Sequence, residues 1–300
     1  MENNIALFLR FLSVRRKMPK NTIDAYGNDV RKFIQFISKK GITELKDIND
    51  KIVDLYVKNL EGSMKQSSIK RNMSSLRKFF KYLKKKRLIN KNSFLKPVQF
   101  VNIPDNSPVI LTVNEVKLII NAALGKGFLA LRDKAMLLFI YSTGAKASGV
   151  CNAKIQDIDL LKAVFLCNSD MGKRKIPFSK ELLPILKRYL YERKRMLKRK
   201  NKLDSGYVFL NRSGNKLSRQ SVYFIVRKYA KKAKIEKRVS PYTLRHSIIS
   251  HLFFYGRAGL GELREIFGYT ATSLILVHRV LPKTRANFIF LETHPVFRSE

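Results

Sequence analysis

Three hundred residues allow two domains of ordinary size, and a hydrophobic share of 45% makes them packed globules rather than a disordered basic tail. Lys and Arg number 61 against 22 Asp and Glu, a formal +39 that needs polyanionic partners; nucleic acid leads, ahead of a ribosomal or membrane surface. No apolar run is long enough to span a bilayer, and the N-terminus has no basic leader for secretion. Cys151 and Cys167 have no histidine at zinc-ligand spacing, which predicts reduced structural thiols in a cytoplasmic protein, with a disulfide between them as the alternative.

Residues 5–90 predict helices. Leu7, Phe8, Phe11 and Leu12 begin an amphipathic segment that Pro19 breaks. Asn21-Thr22 offers a cap for a second helix carrying Ile23, Tyr26, Val30, Phe33, Ile34 and Ile37 at helical spacing, and Gly41 ends it. A third runs from about Asp50 to Leu60, a fourth from Ser67 to Leu83. The polar faces of the second and fourth helices hold Arg31, Lys32, Lys70, Arg71, Arg77, Lys78 and Lys81 with few acids between them, the pattern of a phosphate-facing surface. Residues 1–100 carry 24 basic and 8 acidic side chains, so both halves of the chain are basic.

Asn and Pro residues punctuate positions 90–110, which predicts domains at 1–95 and 109–300 joined by a linker at 96–108. Beyond it, Thr112 to Leu124 and Arg132 to Tyr141 read as helices. Residues 164–167 and 175–178 read as short strands around a turn near Asp170 to Gly172. A long, very basic helix covers Glu181 to Lys200, and Tyr207 to Leu210 is extended. Further helices follow at Ser218–Ala233, Tyr242–Tyr255, Leu260–Phe267 and Ser273–Val280. The whole is mainly α with a small β-sheet.

Several frames occur in a telling order: Asn21-Thr22 with Ala25-Tyr26 and Asp29-Val30, then Ser74 to Phe79, then Ser107-Pro108-Val109-Ile110-Leu111-Thr112. They continue with Tyr141-Ser142-Thr143-Gly144-Ala145-Lys146, Ser240-Pro241-Tyr242-Thr243-Leu244-Arg245-His246, Phe267-Gly268-Tyr269 and His278. Together they resemble the tyrosine recombinases (phage integrases) of Xer type. The resemblance implies a SAM-like four-helix core-binding domain followed by a catalytic-type α+β domain, the two closing as a clamp on duplex DNA.

It also implies a chemistry. In that family a tyrosine hydroxyl attacks a phosphodiester and leaves a 3′-phosphotyrosyl link, without metal or other cofactor. Two arginine forks hold the phosphate oxygens, while a hairpin lysine and a histidine assist proton transfer. On this chain the first arginine falls on Lys146, which keeps the charge and loses the fork, and the following glutamate falls on Gly149. The hairpin lysine falls on Ser169, with Lys173 and Lys175 near enough to substitute. The second-box histidine falls on Tyr242, the second arginine on Arg245, the third-box histidine on Tyr269 and the nucleophile on His278.

Such substitutions point to a DNA-binding protein without normal strand cleavage, holding DNA through Lys146, Arg245, Arg31, Lys70, Arg71 and Arg77. It would sit on the nucleoid, as a homo-oligomer or beside an active recombinase. Two alternatives stay open: an active recombinase using Tyr269, Tyr242 or His278 as nucleophile, and a non-specific architectural protein. His251, with no acidic or Cys partner at ligand spacing, reads as an ordinary buried or surface histidine. The apolar residues between Pro282 and Glu300 suit either a contact with a neighbouring subunit or packing on the same domain.

Overall fold

Apolar residues three and four apart give the first 89 residues four helices in the computed structural model: α1 (Glu2–Val14), α2 (Lys20–Ser38), α3 (Asp50–Glu61) and α4 (Gln66–Lys85). The structure describes residues 1–16, 18, 20–89, 108–169, 172–256 and 258–268. The chain divides into two compact units, Met1–Asn106 and Ser107–Glu300. Most of the expected linker and the expected helix at Ser273–Val280 lie outside the described residues.

In the first unit the apolar stripes meet in an aromatic core. Phe33 packs edge-on against Tyr56 at 4.9 Å and Phe80 at 5.9 Å, while Phe8 meets Phe79 at 5.2 Å. The Asn49 side chain caps α3 by accepting from the Ile52 amide at 3.1 Å. Asn21-Thr22 is not the cap of α2, which already begins at Lys20. A buried polar contact between α2 and α4 centres on Asp29, only 5% exposed. Its carboxylate accepts from Ser75 Oγ at 2.7 Å, Arg71 Nη2 at 3.0 Å and Asn72 Nδ2 at 3.2 Å. A buried carboxylate needs such partners to offset its lost hydration.

The second unit contains α5 (Val113–Asn121), α6 (Phe128–Thr143), α7 (Ala147–Asn152), the sheet, α8 (Leu182–Arg199), α9 (Arg219–Lys232), α10 (Pro241–Phe254) and α11 (Leu260–Phe267). Its sheet is a three-stranded antiparallel meander of β1 (Ile158–Asp159), β2 (Val164–Ser169) and β3 (Gly172–Pro177). Phe165 faces Ile176, Cys167 faces Arg174 and Asn168 faces Lys173. Helix α6 is the axle: every residue from Ala135 to Thr143 is buried, so it carries no polar stripe at all over that length. Both cysteines are buried and free, not bridged.

Arg132 and Arg193 are buried and held within the second unit. Arg132 donates to Asp133, which also accepts from Tyr229 Oη at 2.9 Å, and to the Leu210 carbonyl at 3.1 Å. Arg193 grips Asp204 with both terminal nitrogens and the Tyr207 carbonyl with Nε. His251, 4% exposed, ties α10 to the segment just before α5. Its Nε2 lies 2.9 Å from the Leu111 carbonyl and its Nδ1 2.7 Å from Tyr141 Oη. The carbonyl can only accept, so Nε2 carries the proton and Nδ1 accepts from the tyrosine.

Removing the Asp29 carboxylate strands three donors at one buried point. Asp29→Ala is expected to cost about 3 kcal/mol in urea unfolding, and Arg71→Ala less because half of that side chain is in water. Burial holds His251 down at about 4, against an ordinary value near 6.5. Above pH 6.5 neither folded nor unfolded chain protonates this ring. As pH falls below 6.5 the unfolded chain gains a proton the native one refuses, so stability drops by roughly 3 kcal/mol and levels off below about pH 4. Urea midpoints from pH 7 to pH 4 should lose this part of their slope in His251→Asn.

Candidate phosphate-handling site

The C-terminal end of α6 must stop sharply, and Gly144 stops it in the left-handed conformation with φ of 57°. The chain then passes Ala145 and enters α7 through Lys146, whose carbonyl receives the Val150 amide at 3.0 Å. Helix α10 starts on a capping box: Ser240 Oγ accepts from the Thr243 amide at 3.2 Å, Thr243 Oγ1 accepts from the Ser240 amide at 3.1 Å, and Pro241 sits at the first helical position. Helix α11 closes on Gly268, again left-handed with φ of 60°.

These three turns meet at one side chain. Arg245, from the second turn of α10, is 3% exposed. Its Nη1 donates to the Gly144 carbonyl and its Nη2 to the Phe267 carbonyl at 2.6 Å. The Phe267 ring lies so close to Gly144 that a Cβ there would stand 2.6 Å from it. Arg174, reaching inward from β3, presses its guanidinium against Gly268 and leaves no room for a Cβ. The second-box arginine thus joins the first-box turn to the third-box turn, and the hairpin braces the third from the other side.

The remaining expected residues fall around this knot. Lys146 is exposed at the mouth of α7. Its neighbour Ala147 lines a cleft of about 520 Å³ together with Tyr242, Arg219, Tyr223 and Phe224. Tyr242 is 53% exposed, its ring 5.7 Å from that of His246. Burial, helped by the Arg245 charge, lowers the His246 pKa. Lys173 is exposed on β3, on the opposite side of the strand from Arg174. Tyr269 and His278 lie outside the described residues.

In the first unit Arg31 is exposed, with Asn28 Oδ1 3.4 Å away, and Lys70 and Arg77 are half-buried. Arg71 differs from the sequence expectation in one respect: its guanidinium is tied to Asp29, so helix packing claims part of the charge that the surface reading gave to phosphate. Arg245 also differs. Its two terminal nitrogens serve backbone carbonyls beneath the surface, which gives it a framing role the motif alone did not indicate. Arg174 was not singled out from the sequence, although strand alternation from the buried Ile176 aims it inward.

Gly144 has two reasons to be glycine: its left-handed backbone and the Phe267 ring against it. Gly144→Ala should destabilise the unit by about 3 kcal/mol. Gly149→Ala, inside α7 with only the Ala145 Cβ at 3.8 Å, should be neutral or slightly stabilising. Urea unfolding of the two variants side by side checks the contrast.

Comparisons with known proteins give this geometry its context. Residues 110–275 match the model of the phage integrase family, and residues 5–87 that of the phage integrase N-terminal SAM-like domain. The chain is 30% identical to the tyrosine recombinase XerD of Halalkalibacterium halodurans over 98% of both chains. It is 28% identical to the tyrosine recombinase XerC of Anoxybacillus flavithermus over 98% of this chain and 99% of that one. Among solved structures, the XerH recombinase bound to a palindromic difH substrate superposes with a TM-score of 0.68 at 21% identity, over 86% of this chain and 76% of that one. The Tn1549 transposon integrase in complex with circular-intermediate DNA also reaches 0.68, at 17% identity over 91% and 94%. On its family matches and its full-length relatives, the chain belongs to the phage integrase family of tyrosine recombinases.

Proposed function

We propose that this protein binds duplex DNA with both units and does not carry out normal strand cleavage. The observation that supports the reading most is the state of the phosphate-handling knot. Its frame is intact, with Arg245 joining Gly144 and Phe267, while the position of the first arginine holds Lys146 and that of the nucleophile holds His278. A lysine supplies charge without the planar two-pronged donor, and an imidazole is not a phenol. The groups of such a site act as a unit, so losing one costs orders of magnitude in rate.

Binding asks for less. Lys146, Arg31, Lys70 and Arg77 would neutralise phosphates directly, and Arg71 would add the part of its charge that Asp29 leaves. Arg245 would shape the turn beneath the phosphate and lend its field. The XerH and Tn1549 relatives are seen on DNA, which supports a nucleic-acid partner for the same fold here. A homo-oligomer, or assembly with an active recombinase on the same DNA, fits the family pattern, with the nucleoid as the site of action.

Two measurements test this. Duplex affinity should fall by about a thousandfold between 50 and 200 mM salt, as expected when several phosphate contacts release counterions. A duplex nicked beside the scissile phosphate, which traps covalent intermediates, should give no protein–DNA adduct. An adduct that vanishes in His278→Ala or Tyr269→Phe would replace this reading with that of an active recombinase using an unusual nucleophile. Binding that ignores salt would remove the nucleic-acid reading itself.

A further inference from the structure

Helix α6 spans roughly 24 Å for its 16 residues, and the knot at Gly144 occupies only its C-terminal end. At the other end, two adjoining clefts of about 580 and 610 Å³ open between the loop leading into α6 and the outer face of α8. They share Lys126, Gly127 and Phe128. Their walls carry Lys126, Lys134, Arg188, Arg199, Lys200 and Arg212. The one acid among these lining residues, Glu192, is already engaged by Arg195 at 2.9 Å and approached by Arg199 at 4.0 Å.

Charge alone would make this another stretch of phosphate-binding surface. Two features argue otherwise. The clefts are concave and of ligand size, and apolar side chains are left in water beside the cations: Leu124 is 65% exposed and Leu129 39%, next to a half-buried Phe128. Phosphates gain nothing from exposed leucines. A chain segment that alternates carboxylates with apolar anchors gains from both, burying the leucines while its acids meet the lysines and arginines.

We propose that this double cleft docks an acidic amphipathic segment of a partner protein, at a site separate from the one that handles DNA phosphate. The occupant is defined by chemistry: several Asp or Glu side chains on one side and two or three Leu- or Phe-like anchors on the other. Charge complementarity selects the segment, and the apolar floor distinguishes it from a simple polyanion. This proposal does not depend on whether the chain cleaves DNA.

The test uses the full chain and two fluorescent 14-residue peptides. One alternates Glu with Leu at helical spacing; its twin has each Leu replaced by Ser. At physiological salt the leucine peptide should bind at least about tenfold more tightly by anisotropy, since only it can fill the apolar floor. It should protect residues 124–135 and 184–200 from hydrogen exchange. The Lys134→Glu/Arg188→Glu variant should weaken that peptide about tenfold while leaving duplex affinity within twofold. If the double variant fails to fold, Lys126→Glu, on an exposed loop, should give a smaller loss in the same direction. Equal binding of the twins would overturn the proposal, as would protection elsewhere. A matching loss of duplex affinity would also overturn it, by making the cleft part of the nucleic-acid surface.

Discussion

The second unit depends on one guanidinium buried where three helix ends converge. A charge 97% removed from water is costly unless every neighbour is arranged for it, and here two carbonyls left over at helix termini are the neighbours. Gly144 ends α6 and Phe267 ends α11, and the last carbonyls of a helix carry its negative pole. Arg245 therefore solves two problems together: it neutralises two helix C-termini and it locks two loops into one register. The glycines follow from this. Only a residue without Cβ lets the Phe267 ring lie on the first turn and the Arg174 guanidinium lie on the second.

This arrangement separates the frame of the proposed phosphate site from the side chains displayed around it. Arg245 is held by the fold, so the turn it shapes does not depend on the side chains at Lys146 and Tyr242. Lys146, by contrast, is exposed at the start of α7, and Tyr242 projects into a shallow cleft. Their identity has little bearing on core packing. Lys146 and Tyr242, two of the family's reaction positions, are thus less constrained by packing than Arg245, which is buried.

Much of this was legible in the sequence, where apolar periodicity and capping residues are local signals. Helices α3, α4, α8, α9 and α11 follow their stripes closely. Helix α6 was read as shorter than it is, because a helix buried on all sides has no stripe to mark its ends. Helix α7 and strand β1 are too short, at six and two residues, to show any period. Arg71 looked like free surface charge because its partner Asp29 sits 42 residues earlier, a distance that no local pattern spans. Arg174 escapes the motif for the opposite reason: the family pattern marks a hairpin lysine, while strand alternation turns Lys173 and Lys175 outward and the arginine inward. The resemblance carried by Leu244-Arg245-His246 and its neighbouring frames is borne out as family and fold, but the motif could not say that the arginine's terminal nitrogens would donate to the backbone.

Binding and cutting DNA make different demands on the same scaffold, and the difference is one of additivity. Each lysine or arginine near a phosphate contributes a small, nearly independent increment to affinity, so a chain with a net +39 tolerates the loss of any one of them. Phosphoryl transfer multiplies the contributions of its groups: the nucleophile, the fork and the proton donor must each stand close to its productive position at the same time. Lys146 and Tyr242 can change without unfolding the unit, because both are exposed and the Arg245 knot and the α6 axle do not rely on them. Under the proposed reading, such drift would leave a folded, strongly cationic protein able to bind a duplex without cutting it.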